Sequence, residues 1–246
     1  MSILIVGGVK GIGVAIAKAF APDAGDVFLG YRGDERAAKL AAEAVTAAGA
    51  RAHLIKADVG TPEGCAVLAD AVRAKCDRLD QVVHSAVDAY ATTTLDADPH
   101  RFANALTTNG TSLLYLVQAT LPLLRRGSSV FYLTSRGGRI VVPNYAAVGV
   151  AKALAESLMR YLAVELAPKG IRINAIAPAI VETDAVRALF GANAGSIVRD
   201  SASHNPSGRG VADDDYTSLM RWLASPEAGF IQGQVFFVNG GANLSA

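Results

Sequence analysis

Two residues in the stretch from Asn144 to Lys152 have the types and the spacing that proton chemistry needs. Tyr145 and Lys152 stand seven positions apart, which is two helical turns, so in a helix both side chains project from one face. An ammonium group beside a phenol favours the phenolate, which lowers the pKa of the tyrosine and makes it a usable proton donor near neutral pH. Two unrelated surface residues could show the same spacing. The rest of the sequence therefore has to show whether this pair is catalytic.

Apolar runs alternate with helix-periodic stretches and predict the elements that position this pair. The predicted strands are Ile3–Val6, Val27–Tyr31, Ala52–Ala57, Gln81–Ser85, Ser129–Thr134, Arg172–Ala175 and Val235–Val238. The longer predicted helices are Glu35–Ala48, Glu63–Lys75, Phe102–Leu124 and Ala146–Ala167. This alternation predicts an α/β fold over residues 1–246, a single-domain doubly wound parallel sheet with helices on both faces. The segment at about 184–210 is rich in Gly, Ser, Asn and Ala, and we expect it to be a mobile substrate-loop insertion.

Length and composition argue against several classes of protein. The chain has 246 residues, 51% of them hydrophobic, and a net charge of +1 without a basic run, so we expect no nucleic-acid partner. The longest apolar run, Leu113 to Leu124, is too short to span a bilayer. No basic segment precedes the strand-like run at Ile3, so we expect no signal peptide, no membrane association and a cytoplasmic location. The two cysteines fit neither a disulfide framework nor a metal site, and no metal is predicted.

A cluster of glycines follows the first predicted strand and opens a helical run. Gly7, Gly11 and Gly13 are spaced G-x3-G-x-G, with Lys10 and Ile12 among them. A glycine-rich turn from strand to helix lets a pyrophosphate approach the backbone and rest on the helix N-terminus. A plain tight turn is the alternative, but the place of the cluster in the first βα junction favours dinucleotide binding.

The end of the second predicted strand indicates which dinucleotide is bound. Tyr31 stands where NAD enzymes place a carboxylate on the ribose, and Arg32 follows it. A neutral residue next to a cation favours a 2′-phosphate, and Lys10 is a second candidate cation, so NADPH is predicted over NADH. Asp34 and Glu35 are the counter-evidence, because an NAD fingerprint expects an acid near them. We interpret these two residues as the first turn of the next helix, where acids suit the helix dipole.

Three further residues complete the predicted contacts with the first half of the cofactor. They are Asp58 and Val59 after the third predicted strand and Ser85 at the end of the fourth. Asp58 would contact the adenine amino group, or else it only begins the turn before Pro62.

With these features in view, the chain resembles the short-chain dehydrogenase/reductase family over nearly its whole length. The stretches that fall in the family's order are the glycine loop, Asp58, Asn109, Ser135, Tyr145, Lys152, the Pro178–Thr183 segment and Val238–Gly241. Most members have a tyrosine four residues before the lysine, but here that position is Val148. The tyrosine has moved back to give Y-x6-K, a variant typical of the enoyl-acyl-carrier-protein reductases.

Three other stretches resemble particular enoyl reductase branches. Val83–Ala86 reads V-H-S-A and resembles the V-H-S-I of the main branch. Asn144–Lys152 and Arg160–Leu166 are more similar to the type III enoyl reductases. Ser135 lies seventeen residues before Lys152, where the family has its catalytic serine and the main branch a second tyrosine, so Ser135 also favours type III.

The resemblance implies an activity and a role for each matching residue. The implied reaction is reduction of the C=C bond of a 2-enoyl thioester, linked to acyl carrier protein or coenzyme A, with hydride from NADPH reaching the β-carbon. Tyr145 would stabilise the enolate oxygen, Ser135 would add a second donor, and Lys152 would hold the nicotinamide ribose. Asn109 would hold a water for a proton relay toward Lys152. The residues expected around the nicotinamide are Pro178, Val181 and Thr183. A homotetramer built through the helices around Phe102–Leu124 and Ala146–Ala167 is also implied.

The chain departs from the family pattern in places, and other functions stay open. Val6 and Val9 replace polar residues that brace the glycine loop, which puts cofactor affinity in doubt. His84 is expected to be a packed residue rather than a base, while Arg136 and Arg139 could attract a carboxylate or a phosphate. A ketoreductase acting on a polyketide or other specialised carbonyl is the main alternative, and a non-catalytic dinucleotide-binding protein is the second. Moving the tyrosine back by one turn makes room for a conjugated substrate, which favours C=C reduction.

Overall fold

The computed structural model describes residues 1–242 and consists of one parallel sheet between two layers of helices. The strands are Ser2–Val6 (β1), Asp26–Tyr31 (β2), Arg51–Lys56 (β3), Leu79–His84 (β4), Leu124–Leu133 (β5), Arg172–Pro178 (β6) and Val235–Val238 (β7). The helices are Gly11–Phe20 (α1), Glu35–Ala47 (α2), Pro62–Arg73 (α3), Pro99–Leu106 (α4), Ser112–Thr120 (α5), Ala146–Leu166 (α6), Asp184–Phe190 (α7), Ala194–Ser203 (α8) and Asp213–Ala224 (α9). All seven predicted strands are confirmed.

The strand order places a crevice at the carboxyl end of the sheet. The order is β3-β2-β1-β4-β5-β6-β7, and every neighbouring pair is parallel. The chain builds outward from β1 to β3, then returns to pair β4 with the free side of β1 and continues the other way. Loops that follow β1 and β4 therefore diverge, and in such sheets this switch point is where ligands bind. The predicted doubly wound parallel sheet is confirmed.

Both faces of the sheet are covered, which explains the continuous apolar strands. Leu4 and Val6 of β1 point to the core face beneath α3, α5 and α6. Ile3 and Ile5 point to the opposite core beneath α1, α2 and α9. A parallel strand buried on both sides needs apolar residues at successive positions rather than at alternate ones.

The single helix predicted over Phe102–Leu124 is wrong. The structure has two helices, α4 and α5, joined by a π-helical turn at Thr107–Thr111. α5 ends at Thr120, because Pro122 has no N–H with which to continue the helical hydrogen bonds. The chain then enters β5 at Leu124, earlier than predicted. π-helical turns within helices are frequent at functional sites, and this one carries Asn109.

The segment at 184–210 is partly helical. It contains α7 and α8, so it is more regular than the loop expected from its composition. α7 begins after Thr183, whose hydroxyl oxygen accepts a hydrogen bond from the backbone N–H of Val186 at 3.3 Å. The mobility of this segment stays a prediction.

Within the residues that the structure describes, no helix combines the length and the apolar surface needed to cross a membrane. Across the same residues, the side chains of His, Cys, Asp and Glu form no group of three or more that could hold a metal ion. Cys65, buried in α3, and Cys76, just after it, are free thiols.

Candidate active site

The glycine loop between β1 and α1 has no room for side chains where it turns. Gly7 has a φ of 73°, and a Cβ built on it would lie 2.6 Å from the backbone nitrogen of Ala86. A Cβ on Gly13 would lie 2.1 Å from the carbonyl oxygen of Gly7. Only bare backbone fits at both positions, and the loop leads directly into the first turn of α1, where N–H groups favour an anion. The predicted residues Gly7, Gly11, Ile12 and Gly13 therefore fit the pyrophosphate of a dinucleotide.

Lys10, the residue before α1, already faces two carboxylates. Its Nζ contacts Asp34 and lies 3.3 Å from Oδ2 of Asp184. The hydrogen bond with Asp34 is the main cause that raises the pKa of Lys10. Asp34 also caps α2 by accepting the backbone N–H of Ala37 at 2.9 Å, which confirms its place at the start of that helix. A 2′-phosphate would have to compete with Asp34 for this cation.

The carboxyl ends of β2 and β3 bring together the other residues predicted for the adenosine half. Tyr31 is the last residue of β2, and Arg32 after it places Nη1 4.0 Å from Oδ2 of Asp58. Asp58 also accepts the backbone N–H of Gly60 at 2.9 Å, so it does help to form the turn. Val59 is buried in the core. The second predicted cation is thus also close to an acid.

The segment after β6 closes against the glycine loop from the other side. Pro178 ends β6, and Val181 is partly buried against the core beside α1. Gly11 has a φ of 47°, and a Cβ on it would lie 2.7 Å from Cγ2 of Thr183. Ser85 donates its backbone N–H to the end of β1 at 2.9 Å. The Thr183 hydroxyl caps α7 as an acceptor, so its own O–H stays available to donate to a carboxamide oxygen.

Ser135 and Tyr145 are hydrogen-bonded to each other beyond the end of β5. Oγ of Ser135 donates to the phenol oxygen of Tyr145 at 3.2 Å and accepts the backbone N–H of Gly137 at 3.1 Å. Ser135 therefore stabilises the turn at Gly137 and also contacts the tyrosine. Tyr145 is the residue just before α6, with φ of −112° and ψ of 13°, so it precedes the helix rather than standing on it. Because the phenol oxygen of Tyr145 accepts the hydrogen bond from Ser135, the O–H of Tyr145 can donate to another acceptor.

Two glycines shape the space around the displaced tyrosine. A Cβ on Gly137 would lie 2.5 Å from Cε1 of Tyr145. A Cβ on Gly149, four residues after Tyr145, would lie 2.7 Å from the carbonyl oxygen of Gly137. Real Cβ contacts do not come this close, so a side chain at either position would displace the turn or the ring. The absence of a side chain at Gly149 and the place of Tyr145 are thus parts of one arrangement.

Lys152 is buried two turns into α6. Its Nζ donates a hydrogen bond to the carbonyl oxygen of Leu133 at 2.7 Å and lies 4.6 Å from the ring centroid of Tyr132. Burial lowers the pKa of Lys152 to about 7, although the charge of Glu156 raises it. At neutral pH the amine is therefore divided between its charged and neutral forms.

The pKa of Tyr145 moves in the direction opposite to the one expected from the sequence. Burial raises the pKa of the Tyr145 phenol, and the hydrogen bond from Ser135 only partly offsets this. The physical reason is that Lys152 directs its Nζ to the Leu133 carbonyl. Tyr145 is consequently a neutral phenol at pH 7, which suits a hydrogen-bond donor.

Asn109 lies in the π-helical turn and is completely buried. Its side chain accepts the backbone N–H of Asp88 at 2.7 Å and donates to the carbonyl of Asp88 at 2.9 Å. Its own carbonyl accepts a hydrogen bond from the hydroxyl of Tyr132. Asn109 thereby fixes the chain after β4, while its predicted role in a water relay stays a prediction.

A buried network beneath Lys152 was missed from the sequence. Oε1 of Glu156 accepts the hydroxyl of Thr134 at 2.7 Å, and Oε2 accepts Nε of Arg139 at 3.2 Å. Arg139 also lies over the ring of Phe237, so these two contacts hold it although it is half exposed. Arg136 is exposed as well. The position of Glu156, one helical turn after Lys152, was the available signal.

His84 is packed as expected. It is fully buried at the end of β4, its Nε2 is 2.6 Å from Oγ of Ser112, and its Nδ1 has no hydrogen-bond partner. Burial lowers the pKa of His84 to about 3. A histidine that stays neutral and enclosed in this way is not a general base for a substrate in the crevice.

A parallel doubly wound sheet with a bare glycine loop at its switch point is typical of the dinucleotide-dependent oxidoreductases, and the hydrogen-bonded Ser135 and Tyr145 with the buried Lys152 fit this class. The family model described as enoyl-(acyl carrier protein) reductase matches residues 7–243. The chain belongs to this branch of the short-chain dehydrogenase/reductase family, whose members bind nicotinamide dinucleotides.

Individual relatives are similar over most of their length. The 1-cyclohexenylcarbonyl-CoA reductase of Streptomyces collinus is 30% identical over 243 residues, which cover 99% of this chain and 87% of that protein. The solved enoyl-[acyl-carrier-protein] reductase (NADH) from Aquifex aeolicus VF5 has a TM-score of 0.88 at 27% identity, covering 100% of this chain and 97% of the other. The Pseudomonas aeruginosa RhlG/NADP active-site complex has a TM-score of 0.87 at 29% identity, covering 99% and 96%. Their names refer to NADH in one case and to NADP in the other, and leave the cofactor of this protein open.

Proposed function

We propose that this protein reduces the C=C bond of a 2-enoyl thioester, carried by acyl carrier protein or coenzyme A, with NADPH. The observation that carries the proposal is the displaced Tyr145, around which Gly137 and Gly149 leave space for the ring. The description of the matching family model and the name of the Streptomyces collinus relative, a reductase of a CoA thioester, support the same reaction.

In this reaction Tyr145 acts as a donor to the thioester oxygen. The reduced cofactor, when bound, would supply the hydride for the β-carbon. Burial keeps Tyr145 protonated, so its O–H can donate to the oxygen on which negative charge develops, and a donor aimed at developing charge lowers the barrier. Ser135 donates to the phenol oxygen at 3.2 Å, which strengthens the hydrogen bond that Tyr145 donates to the enolate oxygen. The enolate would then take up a proton from solvent at the α-carbon to give the saturated thioester.

Lys152 would contribute through its charge. In the ammonium form it has three N–H donors, one of which is directed to Leu133. The others would hold the ribose of the cofactor, and the positive charge would stabilise the anionic oxygen near Tyr145. Because the pKa of Lys152 is about 7, this contribution is lost as the pH rises above neutrality.

For the cofactor, we propose that Lys10 and Arg32 exchange their carboxylate partners for a 2′-phosphate. Both cations lie at the carboxyl edge of β1 and β2, and each is exposed and within 4.0 Å of an acid in the structure. A phosphate carries more charge than a carboxylate and accepts more hydrogen bonds, so it can displace these surface ion pairs. NADH, which lacks this phosphate, would leave both ion pairs in place.

Two alternative functions can be distinguished from enoyl reduction by experiment. A ketoreductase is favoured by the Ser135–Tyr145 hydrogen bond, since such a pair can polarise a ketone as readily as it stabilises an enolate. A non-catalytic dinucleotide-binding protein would keep the glycine loop and bind NADPH without turnover.

We also propose that the protein forms a homotetramer through α6 and the helices around α5. Tyr161 and Val164 on α6 are 71% and 75% exposed in the single chain, and side chains of this kind are commonly covered in an assembly. Sedimentation equilibrium would show a mass four times that of one chain, whereas a monomer would contradict the proposal.

The test of the reaction is NADPH oxidation with crotonyl and acetoacetyl thioesters, measured separately as initial rates. The wild type should turn over the crotonyl thioester, and Tyr145→Phe should lose at least about a hundredfold in kcat, the usual effect of removing one such donor. Tyr161→Phe removes the same hydroxyl from a side chain that is exposed in the single chain and should leave the rate unchanged, because a phenylalanine keeps the ring that an interface would cover. Turnover of acetoacetyl thioester alone would contradict the proposal, and tight NADPH binding without turnover would favour the non-catalytic protein.

A further inference from the structure

We infer that Tyr132 is a positioning residue for Lys152, with its ring supporting the ammonium group and its hydroxyl anchoring that ring to the π-helical turn. This inference rests on the proposed function only in that it assigns Lys152 a part in the reaction. Tyr132 contacts Asn109, Lys152 and His84, and we assign it a role through the lysine.

The ring of Tyr132 is held in one orientation between three elements. Tyr132 lies on β5, is completely buried, and belongs to the core under α5 and α6. Its hydroxyl donates to the carbonyl of Asn109 in the π-helical turn. On the side of β4, the ring of His84 lies 5.3 Å away at an angle of 50°. These contacts involve the hydroxyl and the edge of the ring, so one face of the ring is directed toward α6.

The ammonium nitrogen of Lys152 lies over that face. The distance from Nζ to the ring centroid is 4.6 Å, well within the range at which a cation is attracted by the quadrupole of an aromatic ring. Nζ is also held by the Leu133 carbonyl at 2.7 Å, one residue along the same strand. Ring and carbonyl thus fix the position of the nitrogen from β5, independently of any bound ligand.

Interactions that stabilise the ammonium form matter here, because burial disfavours the charge of Lys152. Burial lowers the pKa of Lys152 to about 7. The charge of Glu156, one turn along α6, raises this pKa and offsets part of the effect of burial. The other titratable groups that face this region are Tyr132 on β5, His84 on β4 and Tyr145 before α6. His84, with a pKa of about 3, and the two tyrosines, with pKa values raised by burial, are all neutral near pH 7. The ring of Tyr132 is therefore a neutral source of stabilisation for the ammonium form.

The π-helical turn explains how the anchor arises. A regular α-helix would direct the Asn109 carbonyl along the helix toward the N–H four residues later. The π-helical turn changes that pattern, and this carbonyl accepts the Tyr132 hydroxyl in the structure. The Tyr132 hydroxyl thus occupies one acceptor position of the Asn109 carbonyl, while the predicted water relay through Asn109 stays a prediction.

The experiment compares variants of Tyr132 that keep or remove the ring. Tyr132→Phe keeps the ring face and removes the anchor, whereas Tyr132→Leu removes both. The pKa of Lys152 is measured directly by NMR on protein labelled with 13C at lysine Cε, and Lys152→Met identifies the signal. Loss of the ring should lower the Lys152 pKa by about half a unit to one unit, and Tyr132→Phe should restore most of the wild-type value.

A second pair of variants, nearly equal in shape, provides the same test if Tyr132→Leu does not fold. Phenylalanine and 3,4,5-trifluorophenylalanine at position 132 have nearly the same shape, but fluorine weakens the negative charge of the ring face. The Lys152 pKa should be lower with the fluorinated ring, and the basic limb of the kcat/KM profile should move to lower pH by the same amount. Equal Lys152 pKa values in both pairs would overturn the inference.

The two proposals fail in different ways. If the Lys152 pKa responds to position 132 but neither thioester is reduced, the positioning role stands and the proposed reaction is wrong. If crotonyl thioester is reduced and its pH profile is the same with every residue at 132, the reaction stands and the positioning role is wrong.

Discussion

Gly149 packs its bare Cα against the carbonyl oxygen of Gly137, and a Cβ at Gly149 would lie only 2.7 Å from that oxygen. Gly137 in turn lies beneath the ring of Tyr145. Gly149, a residue with no side chain, thus packs against the turn on which the ring of Tyr145 lies.

Gly149→Ala should disturb this turn and the position of Tyr145. Because the obstructing atom is a backbone oxygen, the chain must shift, and overpacking of this kind costs about 1–3 kcal/mol. We expect a lower melting temperature and a loss in kcat that exceeds the change in KM. Gly25→Ala, where the added Cβ would have no neighbour closer than 3.7 Å, is the control. A variant as active and as stable as wild type would show that Gly149 does not constrain the turn.

Lys152 should make the protein more stable as the pH rises from about 7 toward 10. Its pKa is about 7 in the folded protein and 10.5 for an ordinary lysine. Between these values the unfolded chain binds a proton that the folded protein does not, so the free energy of unfolding increases by up to about 1.4 kcal/mol per pH unit. Urea denaturation at pH 7.5, 8.5 and 9.5 should show this slope in the wild type relative to Lys152→Met.

The control for this titration is Lys169→Met, which removes an exposed lysine near the end of the same helix. Its stability should follow the pH dependence of the wild type. If the curves for Lys152→Met and wild type run parallel, Lys152 titrates normally and its burial does not control its charge.

Asp34→Asn should shift the cofactor preference toward NADPH. The substitution removes the charge that holds Lys10, while an asparagine can still cap α2 at the N–H of Ala37. We expect the ratio of kcat/KM for NADPH to that for NADH to rise roughly two- to fivefold, an effect that shrinks in high salt because the groups are exposed. Asp70→Asn, which breaks an exposed ion pair on α3, is the control. A ratio that falls would place the 2′-phosphate away from Lys10.

Glu156→Gln should move the basic limb of activity to lower pH. Glu156 raises the pKa of Lys152, and a glutamine can still accept the Thr134 hydroxyl, so mainly the charge is lost. A lysine that is required as an ammonium group then loses its proton earlier as the pH increases. The kcat/KM profile of Glu165→Gln, an exposed position on α6, should match the wild type. An unchanged profile in Glu156→Gln would show that the carboxylate does not tune Lys152.

The sheet and the glycine loop could be predicted because their signals are local. Continuous apolar strands, helix-periodic connections and the spacing of Gly7, Gly11 and Gly13 each follow from what the backbone needs at that place. The strand order then follows from the class of fold. The seven-residue spacing of Tyr145 and Lys152 likewise identified the pair, although Tyr145 turned out to precede α6.

The remaining features depend on contacts between distant segments. The π-helical turn carries Asn109, whose side chain is fixed by Asp88, twenty-one residues earlier, and helical periodicity contains no sign of this contact. The pKa of Lys152 depends on complete burial beside Tyr132, and that tyrosine reads as an ordinary core residue of a strand. The direction of the Tyr145 pKa was predicted wrongly for the same reason, since spacing alone gives no measure of burial.

The most direct test of the central claim is a competition experiment with an equimolar mixture of crotonyl and acetoacetyl thioesters and limiting [4,4-2H2]NADPH, which transfers deuterium from either face. Mass spectrometry of the products identifies which bond has received the deuterium. The proposed function predicts deuterium at the β-carbon of a saturated butyryl thioester, with the acetoacetyl thioester left intact. A deuterated 3-hydroxybutyryl thioester as the main product would contradict it and make this protein a ketoreductase.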